Sequence, residues 1–264
     1  MIVTIAKVKF STIELLKKKI KSSRLKKRIK SSHIYWVIKL FLKRLIGVEI
    51  WVKNDIKILC EGQGPAGWNY YKKNIGKNSI IYVFGVGDDI SFELDFIAKN
   101  QSKIFAFDPT PYSIEWLKSQ EVSDNFIFYP WAVSGKDKMI SLYPRLDRSG
   151  KKSQDMWTID ESQSDGESSI EVFSYTLKTI LKKLKHKKID ILKLDIEGAE
   201  YSTIDSMISN RIYPNQILVE FHHRFTSIGK QRTINCIDRL RLLGYQIFSV
   251  SQTGREFSFI RKVD

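Results

Sequence analysis

From residue 79 onward, short apolar runs alternate with segments of helical periodicity, and no other feature of the sequence restricts the fold as much. This alternation is typical of β-strands joined by crossover helices into a largely parallel sheet. The predicted strands are 80–84, 103–107, 126–130, 189–195, 216–221, 245–250 and 255–261. The predicted helices are 90–99, 111–119, 174–186, 199–209 and 229–243. The chain is therefore predicted to be an α/β protein.

Two segments complete the predicted topology. The last two strands are separated only by residues 251–254, which is too short for a crossover, so we expect an antiparallel hairpin and one reversed strand at the end of a parallel sheet. The segment 144–170 is long, polar and without periodicity. Segments of this kind are usually lids over an active site or plain surface insertions, and both interpretations stay open here.

The positive charge of the chain is concentrated at its N-terminus. The formal net charge is +15, but residues 1–60 hold 16 Lys and Arg against three acidic residues. The remaining chain is close to neutral, so the basic character does not describe the substrate of the main domain. We predict a basic helical N-terminal extension over 1–60 and a main domain over 61–264. Two cysteines, far apart, exclude a disulfide framework.

The basic stretch passes into an aromatic and aliphatic segment with Lys39, Lys43 and Arg44, which predicts an amphipathic helix. Its apolar stripe could pack on the main domain, its basic residues could face anionic lipid through residues 1–47, or it could be a nucleic-acid arm. No apolar run is long enough to span a bilayer, and no signal-peptide pattern is present. We therefore predict a cytoplasmic protein that associates peripherally with a membrane or stays in solution; its oligomeric state is not predicted.

The strand 80–84 ends in the turn Gly85-Val86-Gly87, where two glycines allow the backbone to approach a ligand closely. Asp88 and Asp89 follow at the start of a helix, a position that dinucleotides use to bind pyrophosphate. Two aspartates there would repel a diphosphate. S-adenosylmethionine has the adenosine of those cofactors but carries a sulfonium and an ammonium instead of phosphate. The turn therefore favours this methyl donor over a nicotinamide cofactor, although the aspartates could simply cap the helix.

Carboxylates follow two of the predicted strands. Asp108 lies 23 residues after Gly85, close to the spacing at which an acid binds the ribose hydroxyls of a nucleotide, and the alternative is a cap for the helix beginning at Pro111. The segment "LKLDIEGAE" places Asp195, Glu197 and Glu200 within six residues at a strand end. Their mutual repulsion is costly unless a cation, a metal or a proton in transit uses them; helix capping by the two glutamates is the alternative.

The chain resembles the FkbM family of S-adenosylmethionine-dependent methyltransferases. The resemblance is carried by "IFAFDPTP", "WAVSG", "LKLDIEGAE" and the closing "GYQIFSVSQTGREFSFIRK", which occur in the expected order over roughly 80–261. It implies a class I methyltransferase fold, Rossmann-like, with seven strands and the last one antiparallel. The family's first turn usually begins with an acid and has a third glycine, whereas this chain has Val83 and Asp89 at those positions.

The resemblance also implies roles for the motif residues. Gly85 and Gly87 would flank the methionine part of the donor, Asp108 would bind the ribose, and Trp131 with Ala132 would form the rim of the adenine site. Further candidate donor-binding residues are Val86, Asp89 and Pro109. Asp195 would lie beside the sulfonium and the acceptor.

Methyl transfer to a hydroxyl requires a base. The candidates are Asp195, Glu197 and the two histidines of "VEFHHRF", His222 and His223. The same groups could hold a divalent cation, but we predict no metal site.

The family resemblance implies O-methylation of a hydroxyl on a sugar, glycan or glycolipid. Two other functions stay open. An RNA or protein methyltransferase would use the basic arm to hold its substrate, although a nucleic-acid partner is not expected. A noncatalytic binding module of the same fold would not bind the methyl donor.

Overall fold

The structure is a computed structural model, and it describes residues 32–62, 68–73, 75–147 and 149–262. The residues fall into two compact units, one ending at Val48 and one beginning at Glu49. The structure thus divides the chain before residue 60, the predicted end of the extension. In the first unit, helix α1 spans His33–Leu45, within the segment predicted to be an amphipathic helix. Among the described residues, no helix has the length and apolar character needed to cross a membrane.

Seven strands of the second unit form the main sheet. In chain order they are β1 (Ile80–Phe84), β2 (Lys103–Phe107), β3 (Phe126–Tyr129), β8 (Ile191–Leu194), β9 (Gln216–Glu220), β10 (Tyr245–Val250) and β11 (Glu256–Arg261). Their spatial order is β10-β11-β9-β8-β1-β2-β3. Neighbours from β9 to β3 are parallel, whereas β11 is antiparallel to both β9 and β10. The predicted sheet with one reversed strand is confirmed.

Five helices connect these strands, and each falls within two or three residues of its predicted bounds. They are α2 (Ser91–Asn100), α3 (Pro111–Lys118), α4 (Leu177–Leu184), α5 (Glu200–Ser209) and α6 (Gly229–Leu242). The central strands β1 and β8 are buried along almost their whole length because helices cover both faces of the sheet. Two apolar clusters result, one on each side of the sheet.

The long polar segment at 144–170, for which no strand was predicted, contains a strand over Lys152–Thr158, so that part of the prediction was wrong. Strand β4 (Ala132–Val133), β5 (Lys138–Leu146), β6 (Lys152–Thr158) and β7 (Ile170–Tyr175) form a second sheet in the order β4-β7-β5-β6. Strand β6 is the edge of this sheet, and Thr158 is its one fully buried residue. An edge strand with so little burial needs no apolar alternation, since its backbone pairing with β5 holds it in place.

Parallel strands bring their carboxyl ends to one edge of the sheet, where ligands of open α/β sheets bind. The ends of β1, β2, β8 and β9 are adjacent because these strands are neighbours in register. Four strand ends therefore meet at this edge. They bring together the turn at Gly85 and the three acids Asp108, Asp195 and Glu220. The second sheet closes one side of the crevice that they form.

Candidate active site

The crevice at the strand ends is a cavity of about 470 Å³, within the range of small-molecule sites. The second sheet contributes apolar and polar side chains to one wall. The ionisable residues of the lining are seven acidic and four basic: Asp88, Asp89, Asp108, Asp155, Asp195, Glu197, Glu220, Arg145, Lys193, Arg224 and Arg255. Two of the basic residues are paired with carboxylates outside the lining, Lys193 with Glu93 and Arg224 with Glu49. The cavity therefore has a net negative lining.

The turn after β1 is shaped by two glycines with positive φ. Gly85 has a φ of 88°, and a Cβ at this position would lie 1.9 Å from the carbonyl oxygen of Asp195. Its amide donates to the Phe107 carbonyl oxygen at 3.0 Å. Gly87 has a φ of 57° but faces open space, since a Cβ added there would have no described atom within 4 Å. Gly85 thus lets β1 and β8 approach each other, and Gly87 leaves space on the ligand side.

Asp108 holds this turn in place. Its Oδ2 accepts hydrogen bonds from the amides of Val86 and Gly87, at 2.9 and 3.2 Å. Its Oδ1 accepts from the Thr110 amide and hydroxyl, at 2.9 and 2.6 Å. Four donors fill the acceptor capacity of a carboxylate. The buried carboxylate therefore organises the turn and the start of α3, and its predicted contact with ribose stays a prediction.

The two aspartates of the turn lie at the surface of the crevice. Asp89 accepts a hydrogen bond from the Ser91 amide at 2.9 Å, so it satisfies one amide of the first turn of α2, although the N-cap residue is Ile90. Asp88 is exposed and also lines the crevice. Asp89 therefore both supports the start of the helix and adds negative charge beside the cavity.

The predicted adenine rim also lies in the lining. Trp131 and Ala132 face the crevice, and so does Pro109 beside Asp108. The Trp131 ring packs against Tyr129, with ring centroids 4.6 Å apart, and against Tyr175, at 5.3 Å. These ring contacts fix the indole at the edge of the cavity, where a planar base could stack on it.

Lys193 is a buried cation in the middle of the central strand β8. Its Nζ lies 3.1 Å from Glu93 Oε1 and 5.0 Å from the centroid of the Trp68 ring. Burial lowers the pKa of Lys193, but Glu93 and Asp195 outweigh this effect and raise it. The lysine therefore stays charged and supplies a fixed positive field beneath Asp195.

Asp195 and Glu220 form a close pair of carboxylates at the ends of β8 and β9. One oxygen of each lies within 4.8 Å of the other. Burial raises the pKa of Asp195, although Lys193 and His222 oppose it. Burial and the neighbouring Asp195 raise the pKa of Glu220 well above its ordinary value. Two carboxylates this close repel each other when both are ionised, so one of them favours its protonated form and the pair is suited to accept and release a proton.

Glu197 enters the site through an unusual backbone conformation. Its φ is 44°, and its carbonyl oxygen accepts a hydrogen bond from Thr158 Oγ1 at 2.6 Å. Its carboxylate binds Arg145 Nη1 through both oxygens, at 2.9 and 2.8 Å. Burial raises the pKa of Glu197, but His222 and Arg145 outweigh it and lower the pKa. A carboxylate held ionised in this way is a poor base, so its role is to anchor Arg145 and His222.

His222 lies behind the crevice between two carboxylates. Its Nε2 is 3.1 Å from Glu197 Oε2, and its Nδ1 is 3.2 Å from Glu200 Oε1. Burial lowers the pKa of His222, but Glu200 and Glu197 outweigh it and raise the pKa well above its usual value. The raised pKa favours the imidazolium form, with Nδ1 facing Glu200 and Nε2 in an ion pair with Glu197. The ring can act on Asp195 and Glu220 through its charge.

His223 is turned away from the other predicted residues. Its Nε2 lies 2.8 Å from Glu49 Oε2, and it does not line the crevice. Burial and the nearby Arg255 lower the pKa of His223 to about 4. The structure thus brings Asp195, Glu197 and His222 together and leaves His223 outside, so we do not include it in the proposed chemistry.

Asp195, Glu220 and His222 are also the one group of metal-ligand residues found among the described residues. A metal ligand must offer a neutral imidazole nitrogen. Both nitrogens of His222 face carboxylates, and its raised pKa keeps them protonated. The donor set as arranged does not fit a divalent cation, and the absence of a metal site stays a prediction.

Sequence reasoning missed four residues of the site. Glu220 carries a signal that could have been used, because an acid at the end of a buried strand closely precedes the two histidines. Lys193 carries a second signal, a lone charge in an apolar strand of the central sheet. Arg145 and Glu93 carry none, since the partners that place them are 52 and 100 positions away in the chain.

The strand order, the single reversed strand and the acidic crevice at the strand ends define a protein of the class I methyltransferase fold. The sequence profile described as the methyltransferase FkbM domain matches residues 74–247. The chain therefore belongs to the FkbM family of methyltransferases, and its methyl donor is S-adenosylmethionine. The family resemblance, fold class and cofactor predicted from the motifs are confirmed.

Other comparisons add little. Curated protein sequences give no match. Among solved structures, a fibrillarin pre-rRNA processing protein of Methanococcus jannaschii is similar at 12% identity and a TM-score of 0.43, over 75% of this chain and 72% of that one. A fibrillarin/Nop5p complex is similar at 12% identity and a TM-score of 0.40, over 86% and 82%. Likenesses this distant do not bear on the acceptor.

Proposed function

We propose that the protein transfers a methyl group from S-adenosylmethionine to a hydroxyl of a sugar, glycan or glycolipid. The observation that supports the proposal is the pair of carboxylates Asp195 and Glu220 in the lining of the crevice, which lie within 4.8 Å of each other and have raised pKa values. A hydroxyl attacks a methyl group poorly until its proton is removed, so O-methylation needs such a base.

The residues of the site fit a cationic methyl donor. The net negative lining favours a sulfonium over a diphosphate, and Gly87 leaves space where a side chain would intrude. The bound donor supplies an electrophilic methyl group and leaves as S-adenosylhomocysteine. The turn held by Asp108 positions the donor, and the second sheet screens the crevice from water on one side.

In the proposed reaction, the ionised member of the Asp195 and Glu220 pair accepts the proton of the acceptor hydroxyl. A bound donor would supply the methyl group, whose carbon–sulfur bond would break as the acceptor oxygen bonds to the methyl carbon. His222 and Lys193 are positioning residues, since their charges favour the ionised carboxylate without contact with the acceptor being required. Release of the shared proton to solvent then restores the pair.

The second sheet supports a carbohydrate acceptor. It lines the crevice with the aromatic side chain of Trp157 beside polar groups, including Arg145 and Asp155. Sugars present both apolar C–H faces and hydroxyl groups, so a wall that combines an aromatic ring with charged hydrogen-bonding groups suits them. This wall belongs to the second sheet, whereas the turn at Gly85 belongs to the main one, so donor and acceptor would contact different parts of the fold.

Two alternative functions would require different properties of the crevice. An RNA substrate brings phosphates, and the seven acidic residues of the lining oppose a polyanion at the crevice. A noncatalytic binding module would not bind the donor at all, and the family assignment speaks against it. The predicted cytoplasmic location stays a prediction.

The test is a methyl-transfer assay with radiolabelled S-adenosylmethionine and three acceptor pools: p-nitrophenyl glycosides with extracted envelope glycolipids, total RNA, and a soluble protein extract. We expect label in the first pool, resistant to base and located on a sugar hydroxyl by mass spectrometry. Label confined to RNA or protein would overturn the proposal. S-adenosylhomocysteine binding by calorimetry, with label in no pool, would show a donor site whose acceptor is none of these classes and would equally reject it.

A further inference from the structure

Helix α1 presents an apolar stripe to its surroundings. Five side chains at spacings of three and four residues form this stripe, which we call the α1 stripe: Ile34, Ile38, Phe41, Leu42 and Leu45. They are 68, 54, 50, 53 and 60% exposed, and the helix contains no buried residue. Large apolar side chains grouped on one helix face mark an interaction surface, whereas single exposed ones do not.

Positive charge surrounds this stripe. Residues 33–45 contain Lys39, Lys43 and Arg44 and no acid. Residues 1–48 contain 14 Lys and Arg against a single acid, Glu14. The body from residue 49 onward is nearly neutral, so its charge does not explain the excess.

We infer that helix α1 docks on an anionic lipid bilayer, with the α1 stripe among the acyl chains and the basic residues at the headgroups. An apolar face with basic flanks on a helix too short to span a membrane is the pattern of helices that lie in the interface. The charge selects the partner, because an anionic surface attracts a segment of this kind and a neutral apolar protein groove does not. The inference does not depend on the methylated substrate.

The experiment is vesicle flotation of the full-length protein. Vesicles of phosphatidylcholine alone are compared with vesicles of phosphatidylcholine and phosphatidylglycerol, at low and high salt. We expect binding to the anionic vesicles that weakens as salt rises, and little binding to the neutral ones. The variant Ile38→Glu with Phe41→Glu should reduce partition by roughly tenfold or more, because two apolar side chains no longer leave water.

Two further variants isolate the cause. Leu59→Glu with Leu242→Glu adds the same two charges at side chains of the body that are 89 and 87% exposed, and it should float like the wild type. Ile34→Gln with Leu45→Gln removes apolar surface without adding charge, and it should also reduce binding. Calorimetric titration with S-adenosylhomocysteine shows whether each variant keeps a folded body.

Several results would overturn the inference. One is flotation of the stripe variants at the wild-type level, and another is equal binding to neutral and anionic vesicles. A third is the absence of vesicle binding together with a dimer that the stripe variants dissociate in light scattering, which would assign the stripe to a second copy of the chain. A fourth is salt-sensitive RNA binding without vesicle binding.

Discussion

The turn after β1 and the acidic cluster after β8 and β9 face the same crevice, but different interactions hold them in place. Backbone amides hold the turn: Val86 and Gly87 donate to Asp108, and Gly85 adopts a conformation that only glycine tolerates well. The cluster is held by charged side chains, with His222 between Glu197 and Glu200.

We therefore expect the turn and the acidic cluster to be sensitive to different kinds of substitution. A turn fixed by backbone conformation is sensitive to shape, so an added methyl group matters more than a change of pH. A cluster fixed by ion pairs is sensitive to protonation, since each pair depends on the charge of its neighbours. Substitutions on each side can test this distinction.

Gly85→Ala should have the largest effect. The added Cβ would meet the Asp195 carbonyl oxygen at 1.9 Å, and the φ of 88° disfavours any side chain. We expect the free energy of unfolding to fall by at least about 3 kcal/mol, with loss of S-adenosylhomocysteine binding. Urea denaturation and calorimetry measure the two quantities. The matched control is Gly87→Ala, which has a φ of 57° and open space, and should cost about 1 kcal/mol. Equal losses of unfolding free energy in the two variants would show that the close contact at Gly85 does not constrain the turn.

Glu220→Gln tests the acidic side, and it rests on the proposed function. We expect kcat to fall by about 10²-fold or more because the base pair is broken, while S-adenosylhomocysteine affinity changes little. Glu171→Gln, at an exposed residue of β7, is the control and should leave kcat unchanged.

The pH profile gives Glu220 a second readout. The raised pKa values of the pair place the acid limb of kcat/KM above the pH at which ordinary carboxyl groups titrate, and activity falls as pH drops through it. In Glu220→Gln the residual limb should move to lower pH, since the carboxyl group whose pKa is raised well above its usual value is removed and Asp195, whose rise in pKa through burial is opposed by Lys193 and His222, remains. If the acid limb does not move, a group other than Glu220 controls it.

Asp108→Asn should destabilise the turn by about 2 kcal/mol. The substitution turns the oxygen that accepts hydrogen bonds from the Val86 and Gly87 amides into an NH₂ group, which can only donate. These two backbone amides then lose their partner. Donor affinity should fall with it. Asp89→Asn is the comparison, because this exposed carboxylate accepts one hydrogen bond, and we expect a loss of at most about 1 kcal/mol. Urea denaturation measures the loss of unfolding free energy in both variants, and calorimetry measures their affinity for S-adenosylhomocysteine. Equal losses in the two variants would contradict the special role of Asp108 in the turn.

The adjacent histidines should give the smallest and most specific effect. The pKa of His222 is raised in the folded state, so its contribution to stability is complete below its unfolded value and is lost as pH rises through the raised value. The pKa of His223 is lowered to about 4, so the folded state loses stability as pH falls below the unfolded value, down to about 4.

Denaturation between about pH 4 and about pH 9 separates the two histidines. His222→Gln should flatten the alkaline decline in unfolding free energy, and His223→Gln should flatten the acidic one. A variant whose loss is independent of pH would show that the ring packs there without titrating.

The strands and helices of the main sheet were predictable because their burial leaves a pattern in the sequence. Strand β8 reads as apolar since both faces are covered, and α6 ends at the residues before Gly244. The second sheet left no such pattern: β6 lies at an edge with mostly polar side chains, and its pairing with β5 is made by the backbone.

The residues of the site also fall into those that could be predicted from the sequence and those that could not. Gly85, Asp108 and Asp195 could be placed at the crevice from their positions at strand ends, because parallel strands end at one edge. The sequence could not separate His222 from His223, since adjacent residues take different directions and the partners Glu200 and Glu49 lie far off along the chain. It also held no sign of Arg145, which the second sheet brings to Glu197.

The amino-acid order alone therefore determined the sheet, its reversed strand, the family and the methyl donor, because these depend on local burial patterns and short motifs. Only the tertiary structure decided which acids lie close together, which histidine lies between two carboxylates and that Asp108 uses its oxygens to hold the turn. Those outcomes depend on distances of a few ångströms between groups remote in sequence, and electrostatic and hydrogen-bond energies change steeply over such distances.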